Sequence, residues 1–260
     1  MDEIEKLKET ILKEYPRLNK ESKFKFNCHQ NISCFNKCCS DVNIFLTPYD
    51  IIRLKNNLEI SSQKFLDRYT FLPIDEKQNH PVVMLKMNSD EIKSCPFVGE
   101  KGCSVYDNRP WSCRMFPLGV ASPKESGTNG DRDFYFILDE PICQGYYEDK
   151  YLTVNEWIND QQVDKYTEMG EQFKEISLHN YFKKGKQLEP AKLEMFYTVC
   201  YNIDKFREFV FESTFLKRFE VDEETINKIK SDDIELLLFG FRWLKYCLFG
   251  EKTMKIKHQK

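Results

Sequence analysis

Hydrophobic and polar residues alternate along much of the chain with the spacing of amphipathic helices. Thr47 followed by Pro48 and Asp50 is typical of a capped helix start. Thr153 with Glu156 has the spacing of a capping box. Helices are therefore predicted over residues 2–15, from 47 to about 57, from 61 or 62 through 69, from 153 toward 173, and over 192–211, 222–230 and 232–249.

Between residues 24 and 147 the pattern changes to short apolar runs that are separated by turn residues. Short strands are predicted over 42–46, 81–87, 103–106 and 134–138, and residues 24–27 are expected to be extended. Two prolines in DNRPWSCRMFPLG, residues 107–119, predict a tight loop, and residues 122–133 are polar and glycine-rich, as in an excursion between elements.

These elements predict an α+β fold. Its middle part is a loop-rich, metal-organised cysteine domain with small strands and short helices, and a C-terminal helical region caps it. The predicted organisation is an N-terminal helix over 1–23, the cysteine-cluster domain over 24–147, and helices over 148–260 that pack on it.

Composition excludes several classes of protein. The chain has 260 residues and a formal net charge of −3 with acids and bases interspersed, so it lacks the basic patch of a nucleic-acid-binding protein. No apolar run has the length of a membrane span, and no apolar segment follows the N-terminus as in a signal peptide. A cytoplasmic location is therefore expected.

Cysteines give the clearest chemical signal. Eight of the ten cysteines lie between residues 28 and 143, whereas Cys200 and Cys247 lie on apolar helical stripes and are expected in the core. A reducing cytosol disfavours structural disulfides, so the dense cysteines predict a metal site. The predicted metal ligands are Cys28, Cys34, Cys38, Cys39, Cys95, Cys103, Cys113 and Cys143.

The cysteine spacing leaves the metal open. Soft thiolates select zinc or iron–sulfur clusters, and the spacing is neither that of a zinc ribbon nor that of a bacterial ferredoxin. Eight thiolates suffice for two four-thiolate sites, and the adjacent Cys38 and Cys39 are expected to point in different directions. Arg109 and Arg114 could offset the charge of a bound cluster. His29 is a further ligand candidate, although we expect it to face solvent.

The motifs FNC-x5-C-x3-CC, LTPYDIIRL, CPF-x4-GCSVY, RPWSCRMFPLG and PICQG together resemble the YkgJ-type cysteine-cluster family, which carries a zinc- or iron-chelating CxxCxxCC domain. The resemblance covers roughly residues 26–145. The cysteine domain is also similar to that of the flagellin lysine methylases. The resemblance implies metal binding through a [4Fe–4S] cluster.

Three functional hypotheses follow. The first is an iron–sulfur protein, with one or two clusters, that acts in electron transfer or in a redox or maturation step with a redox or protein partner that the sequence does not identify. The second is a zinc-stabilised protein-interaction module. The third, which rests on the methylase resemblance, is an enzyme that modifies lysine or another side chain.

Overall fold

The computed structural model describes residues 15–73, 79–121 and 134–257. The helix predicted over 2–15 lies outside the described residues except for Tyr15, and the glycine-rich segment over 122–133 lies outside them entirely.

The strands of the described part are short and antiparallel. β1 pairs with β9, β4 lies between β2 and β3, β5 pairs with β6, and β7 pairs with β8. No single large sheet is formed by these strands. Their bounds are β1 Lys23–Lys25, β2 Phe45–Leu46, β3 Thr70–Phe71, β4 Val83–Leu85, β5 Val98–Gly99, β6 Gly102–Cys103, β7 Leu118–Ala121, β8 Phe134–Ile137 and β9 Tyr151–Thr153.

Helices dominate the chain after β9, so the α+β class and the helical C-terminal region are confirmed. A π-helical turn, Lys245–Phe249, ends the last of them. The helices are α1 Pro48–Asn57, α2 Ser62–Tyr69, α3 Trp111–Met115, α4 Val154–Asp160, α5 Val163–Ser177, α6 Asn180–Lys183, α7 Pro190–Tyr201, α8 Ile203–Glu212, α9 Phe215–Arg218, α10 Glu223–Ser231 and α11 Asp233–Leu244.

Two helices that were predicted as continuous are broken. Gln162 has a left-handed backbone with φ of 52° and separates α4 from α5. Asn202 separates α7 from α8, and its buried carboxamide accepts from Ser62 Oγ at 2.8 Å and donates to Gln63 Oε1 at 2.7 Å. The apolar stripe continues across Asn202, so hydrophobic spacing alone could not show this break.

The prediction of a loop over 107–119 was wrong in part. Pro110 precedes α3 instead of preventing it, as is common for a proline just before a first helical turn. The last residues of the segment begin β7, which pairs with β8. Cys113 therefore lies on a helix.

Two apolar cores are formed, and each takes residues from both sides of position 147. The larger core joins α1 and α2 to the C-terminal helices through buried side chains such as Leu54, Phe196 and Leu236. The smaller core surrounds Phe26, which meets Trp157 edge to face with ring centroids 5.3 Å apart. The cysteine segment lies between these two cores.

Two capping boxes of the same chemistry begin α1 and α4, but only the first is buried. Thr47 N donates to Asp50 Oδ2 at 2.8 Å, and Thr153 N donates to Glu156 Oε2 at 2.7 Å. Asp50 is buried and also accepts from Trp111 N at 2.9 Å, so this carboxylate joins the start of α1 to the start of α3. Glu156 is exposed and makes no such long-range bond among the described residues.

Asp50→Ala is therefore expected to lower the free energy of unfolding by about 2–3 kcal/mol, because it removes a cap and leaves the Trp111 N–H without its buried acceptor. Glu156→Ala, the matched change in the exposed box, is expected to cost about 0.5–1 kcal/mol. Urea unfolding of both variants measures the difference. Equal losses would contradict the role assigned to the Asp50–Trp111 bond.

Candidate metal centre

Backbone pairing places the first cysteine beside the last one of the segment. Phe26 N donates to Lys150 O at 2.9 Å, and Asn27 N donates to Gly145 O at 3.0 Å. A Cβ at position 145 would lie 2.8 Å from the Phe26 ring, so only glycine permits this approach. The chain around Cys28 is thereby held against the chain that follows Cys143.

Between Cys28 and Cys39 the backbone forms a series of tight turns. Phe35 N donates to Ile32 O, Lys37 N to Cys34 O and Cys39 N to Asn36 O, at 2.9–3.0 Å. Asn36 has φ of 67° and begins a short 3-10 turn over Lys37–Cys39. These turns bring Cys34, Cys38 and Cys39 close together.

The second group of cysteines is attached to the first through Cys39. Cys95 N donates to Cys39 O at 2.8 Å, and Ser40 forms a β-bridge with Ser94. Beyond Cys95, strands β5 and β6 form a hairpin in which Val98 faces Cys103. Gly102 makes the turn of this hairpin with φ of 111°, a conformation that favours glycine.

Helix α3 brings Cys113 to the same region. Its start is held by the Asp50 carboxylate, and its end is held by Arg114. The Arg114 guanidinium donates to Arg109 O at 3.0 Å and to Gln161 O at 2.7 Å, and it also contacts Asp107 O. Arg114 therefore chiefly holds the loop that precedes α3 in place.

Arg109 bonds to neighbouring parts of the chain and also lies near two of the cysteines. Its guanidinium donates to Tyr106 O and to Gln161 Oε1 and lies over the Tyr106 ring at 3.7 Å from the centroid. Burial lowers its pKa, and the thiols of Cys103 and Cys113 are near enough to act against that change. Its positive charge thus lies beside two of the predicted ligands.

Backbone amides point at several of the sulfur atoms. Gln144 N donates to Cys34 Sγ at 3.1 Å. The other amides lie two or three residues after the cysteine that they serve: Phe97 for Cys95, Val105 for Cys103, and Gly145 and Tyr146 for Cys143. The bonds at Cys95, Cys103 and Cys143 favour the thiolate form and act to lower the pKa of the cysteine that receives them.

Burial opposes this effect and is the larger influence at most of these cysteines. It raises the pKa of Cys28 to about 11 and that of Cys113 to about 12, and it also raises the pKa values of Cys95, Cys103 and Cys143. Neighbouring thiols add to the increase because thiolates repel one another. A cation bound among the thiols would relieve both costs.

The pKa values of the adjacent Cys38 and Cys39, a vicinal pair, shift in opposite directions. The Cys38 and Cys39 thiols share a hydrogen bond, which lowers the pKa of Cys38 to about 7 and raises that of Cys39. The expectation that these side chains point in different directions stays a prediction. The two thiols still have different further neighbours: Glu140 lies near Cys38, whereas Cys95 and Cys113 lie near Cys39.

As the side chains stand, no three Cys, His, Asp or Glu residues in the described part of the chain converge closely enough to hold a single metal ion. All ten cysteines are described and none is joined in a disulfide. The donor set nonetheless fits a thiolate-bound metal in number and chemistry, since eight thiols lie in one region with amide donors directed at them.

The remaining candidates have other partners. His29 Nε2 lies 3.0 Å from Glu148 Oε2, and His179 Nε2 lies 3.1 Å from Glu251 Oε1. His80 is half-buried and stacks on Phe196 with ring centroids 4.9 Å apart. Cys200 is buried in the larger core, as predicted, and Cys247 packs against that core; His258 lies outside the described residues.

Some contributors could not be found from sequence. The capping box at Asp50 has a clear signal, but its bond to Trp111 joins positions 61 residues apart and has none. The amide donors to sulfur are main-chain groups, so no residue type marks them.

The family model described as "Putative zinc- or iron-chelating domain", named CxxCxxCC, matches residues 27–144. The match covers less than half of the chain, so residues 27–144 are similar to this family. The match contains all eight clustered cysteines and confirms the resemblance seen in the sequence. It supports metal binding by the segment. No curated protein and no solved structure shows significant similarity to the chain.

None of the described helices is long and apolar enough to cross a membrane. The most apolar stretch, at α11, is instead used in the larger core, where Leu236, Leu237 and Leu244 are buried.

Cys113→Ser is expected to bind less metal than the wild-type chain and to lower thermal stability, because ligand binding and folding of the segment are linked. Cys200→Ser is the matched control. It replaces a thiol that is buried in the core, so it should keep its metal while losing about 1–3 kcal/mol for an unsatisfied buried hydroxyl. Metal analysis and thermal unfolding of both proteins test this. A Cys200→Ser protein without metal would contradict the core assignment.

Proposed function

We propose that the chain binds iron–sulfur clusters of the [4Fe–4S] type through the eight cysteines between residues 28 and 143, and that it acts in electron transfer or in a redox or maturation step. The observation that carries this proposal is the gathering of eight thiols, with backbone amides directed at the sulfur atoms of Cys34, Cys95, Cys103 and Cys143.

The donor chemistry supports a soft metal centre. Thiols are the dominant candidate ligands in this region, and the nearby His29 is paired with Glu148. Soft sulfur ligands suit zinc and iron–sulfur clusters and do not suit hard, oxygen-seeking ions. Hydrogen bonds from amides to sulfur tune the potential of bound clusters, so the bonds at Cys34, Cys95 and Cys143 would serve that purpose.

Aromatic side chains around the thiols would limit access of water. Phe26 and Phe97 are buried, and Phe35 lies against the hairpin turn at Gly102. Low polarity and few, specific hydrogen bonds to sulfur set the potential of a cluster. When bound, the cluster would accept and return one electron. The chain's own residues would hold it, shield it and, at Arg109, place a positive charge beside it.

Protein purified without oxygen is expected to be brown, to contain iron and acid-labile sulfide, and to bleach reversibly when it is reduced with dithionite. Cys200→Ala purified in the same way should keep the colour, because Cys200 lies in the larger core. Absorption spectra with iron, sulfide and zinc analysis of both preparations provide the measurement.

Colourless protein that carries stoichiometric zinc and no sulfide would overturn the iron–sulfur proposal. It would favour a zinc-stabilised interaction module in its place. Exposed apolar residues beside the last ligand, Ile142 and Tyr147, would then be the surface to examine first.

A further inference from the structure

The eight cysteines divide into two groups of four when the hydrogen bonds between their chain segments are followed. Asn27 N donates to Gly145 O at 3.0 Å, and Gln144 N donates to Cys34 Sγ at 3.1 Å. These bonds attach both Cys28 and Cys34 to the segment that contains Cys143.

A separate set of bonds gathers the other cysteines. Cys95 N donates to Cys39 O at 2.8 Å, and Val98 N donates to Cys95 O at 3.1 Å. Val98 is in turn the strand partner of Cys103. Cys39, Cys95 and Cys103 are thus joined through consecutive backbone contacts, independently of the segment around Cys143.

The electrostatic neighbours of the thiols give the same division. Repulsion from the thiols of Cys34 and Cys38 raises the pKa values of both Cys28 and Cys143, and Cys143 also raises that of Cys28. In the other group, Cys95 and Cys103 raise the pKa of Cys113 on α3, and Cys95 and Cys113 raise that of Cys39. The hydrogen bond between Cys38 and Cys39 links the two groups.

We propose that the chain builds two separate four-thiolate metal sites, site A from Cys28, Cys34, Cys38 and Cys143, and site B from Cys39, Cys95, Cys103 and Cys113. This inference rests on the proposed function, since it takes the same cysteines as ligands. The sites meet at the Cys38–Cys39 peptide bond, so each site takes one residue of the vicinal pair. Rotation of cysteine side chains between staggered rotamers would direct the sulfur atoms into each site.

The two sites have different surroundings. Site B lies beside Arg109 and includes Cys113, whose pKa is also affected by the buried Asp50. Site A lies beside Glu140 and includes Cys28, which is exposed. Site A therefore combines the exposed Cys28 with the buried Cys34 and Cys143, and site B is the one with a compensating cation.

Cobalt(II) provides a test that does not depend on the native metal, because it occupies tetrathiolate sites and its absorption reports the number of bound thiolates. The full chain without metal, kept reduced and free of oxygen, is expected to bind two equivalents of cobalt. Cys28→Ser with Cys143→Ser should bind one equivalent with an unchanged tetrathiolate spectrum, and so should Cys103→Ser with Cys113→Ser.

The matched control removes one cysteine from each site. Cys28→Ser with Cys103→Ser also lacks two thiols, but it should lose the tetrathiolate spectrum completely, because both sites keep only three cysteines. Wild-type protein that binds fewer than two equivalents would overturn the division. So would a mixed variant that keeps a full tetrathiolate site, or a variant within one site that loses both.

Alkylation of the wild-type chain provides a measurement that needs no variant to fold. At half saturation with cobalt, peptide mass spectrometry should find the four thiols of one site protected together while those of the other site react. Protection that crosses the two groups would overturn the division. Native protein without iron and sulfide would overturn the iron–sulfur proposal alone and would leave the cobalt result standing.

Discussion

The structure of the cysteine segment depends on holding eight thiols in one place although their ionised forms repel one another. Burial and neighbouring thiols raise the pKa of Cys113 to about 12 and that of Cys28 to about 11, so ionised thiols are costly there. Such an arrangement contributes little to folding by itself. It becomes favourable when a cation compensates the negative charge, which is why metal binding and folding of the segment are linked.

The segment compensates for its lack of large regular elements with bonds to better-ordered parts of the chain. Asp50 joins α1 to α3, and Arg114 joins the loop before α3 to the end of α4 through Gln161 O. Phe26 is buried in the smaller core and anchors the chain that leads into the first turns. The turns that carry the thiols are consequently attached to both apolar cores, and the C-terminal helices act as a scaffold for them.

How much could be predicted from sequence depended on how local each interaction is. The start of α1 was predicted correctly because Thr47, Pro48 and Asp50 lie within one turn of helix. The break at Asn202 was missed because its side chain bonds to Ser62 and Gln63, far away in the chain. Helix α3 was predicted as a loop because the prolines on either side of it are visible in the sequence. The bond from its first amide to the distant Asp50 carboxylate is not visible there.

The candidate site shows the same limit. Spacing along the chain separates the cysteines into an early and a late group, whereas backbone contacts attach the late Cys143 to the early Cys28 and Cys34.

The junction at Cys38 and Cys39 explains why two adjacent cysteines are useful. A single cysteine can offer its thiolate to one site, and successive residues in a tight turn can serve neighbours on two sides. Cys39 O accepts a hydrogen bond from the amide of Cys95, so Cys39 fixes the backbone of the late group while its side chain lies near the thiols of that group.

Two sites that share this junction would be close enough for charge at one to affect the other, since screening by salt acts weakly over short, buried distances. Arg109 lies on one side of the junction and Glu140 on the other, so the fold places opposite charges beside the two groups. In a redox protein this asymmetry would give the two sites different potentials, with the electron favoured at the site beside Arg109.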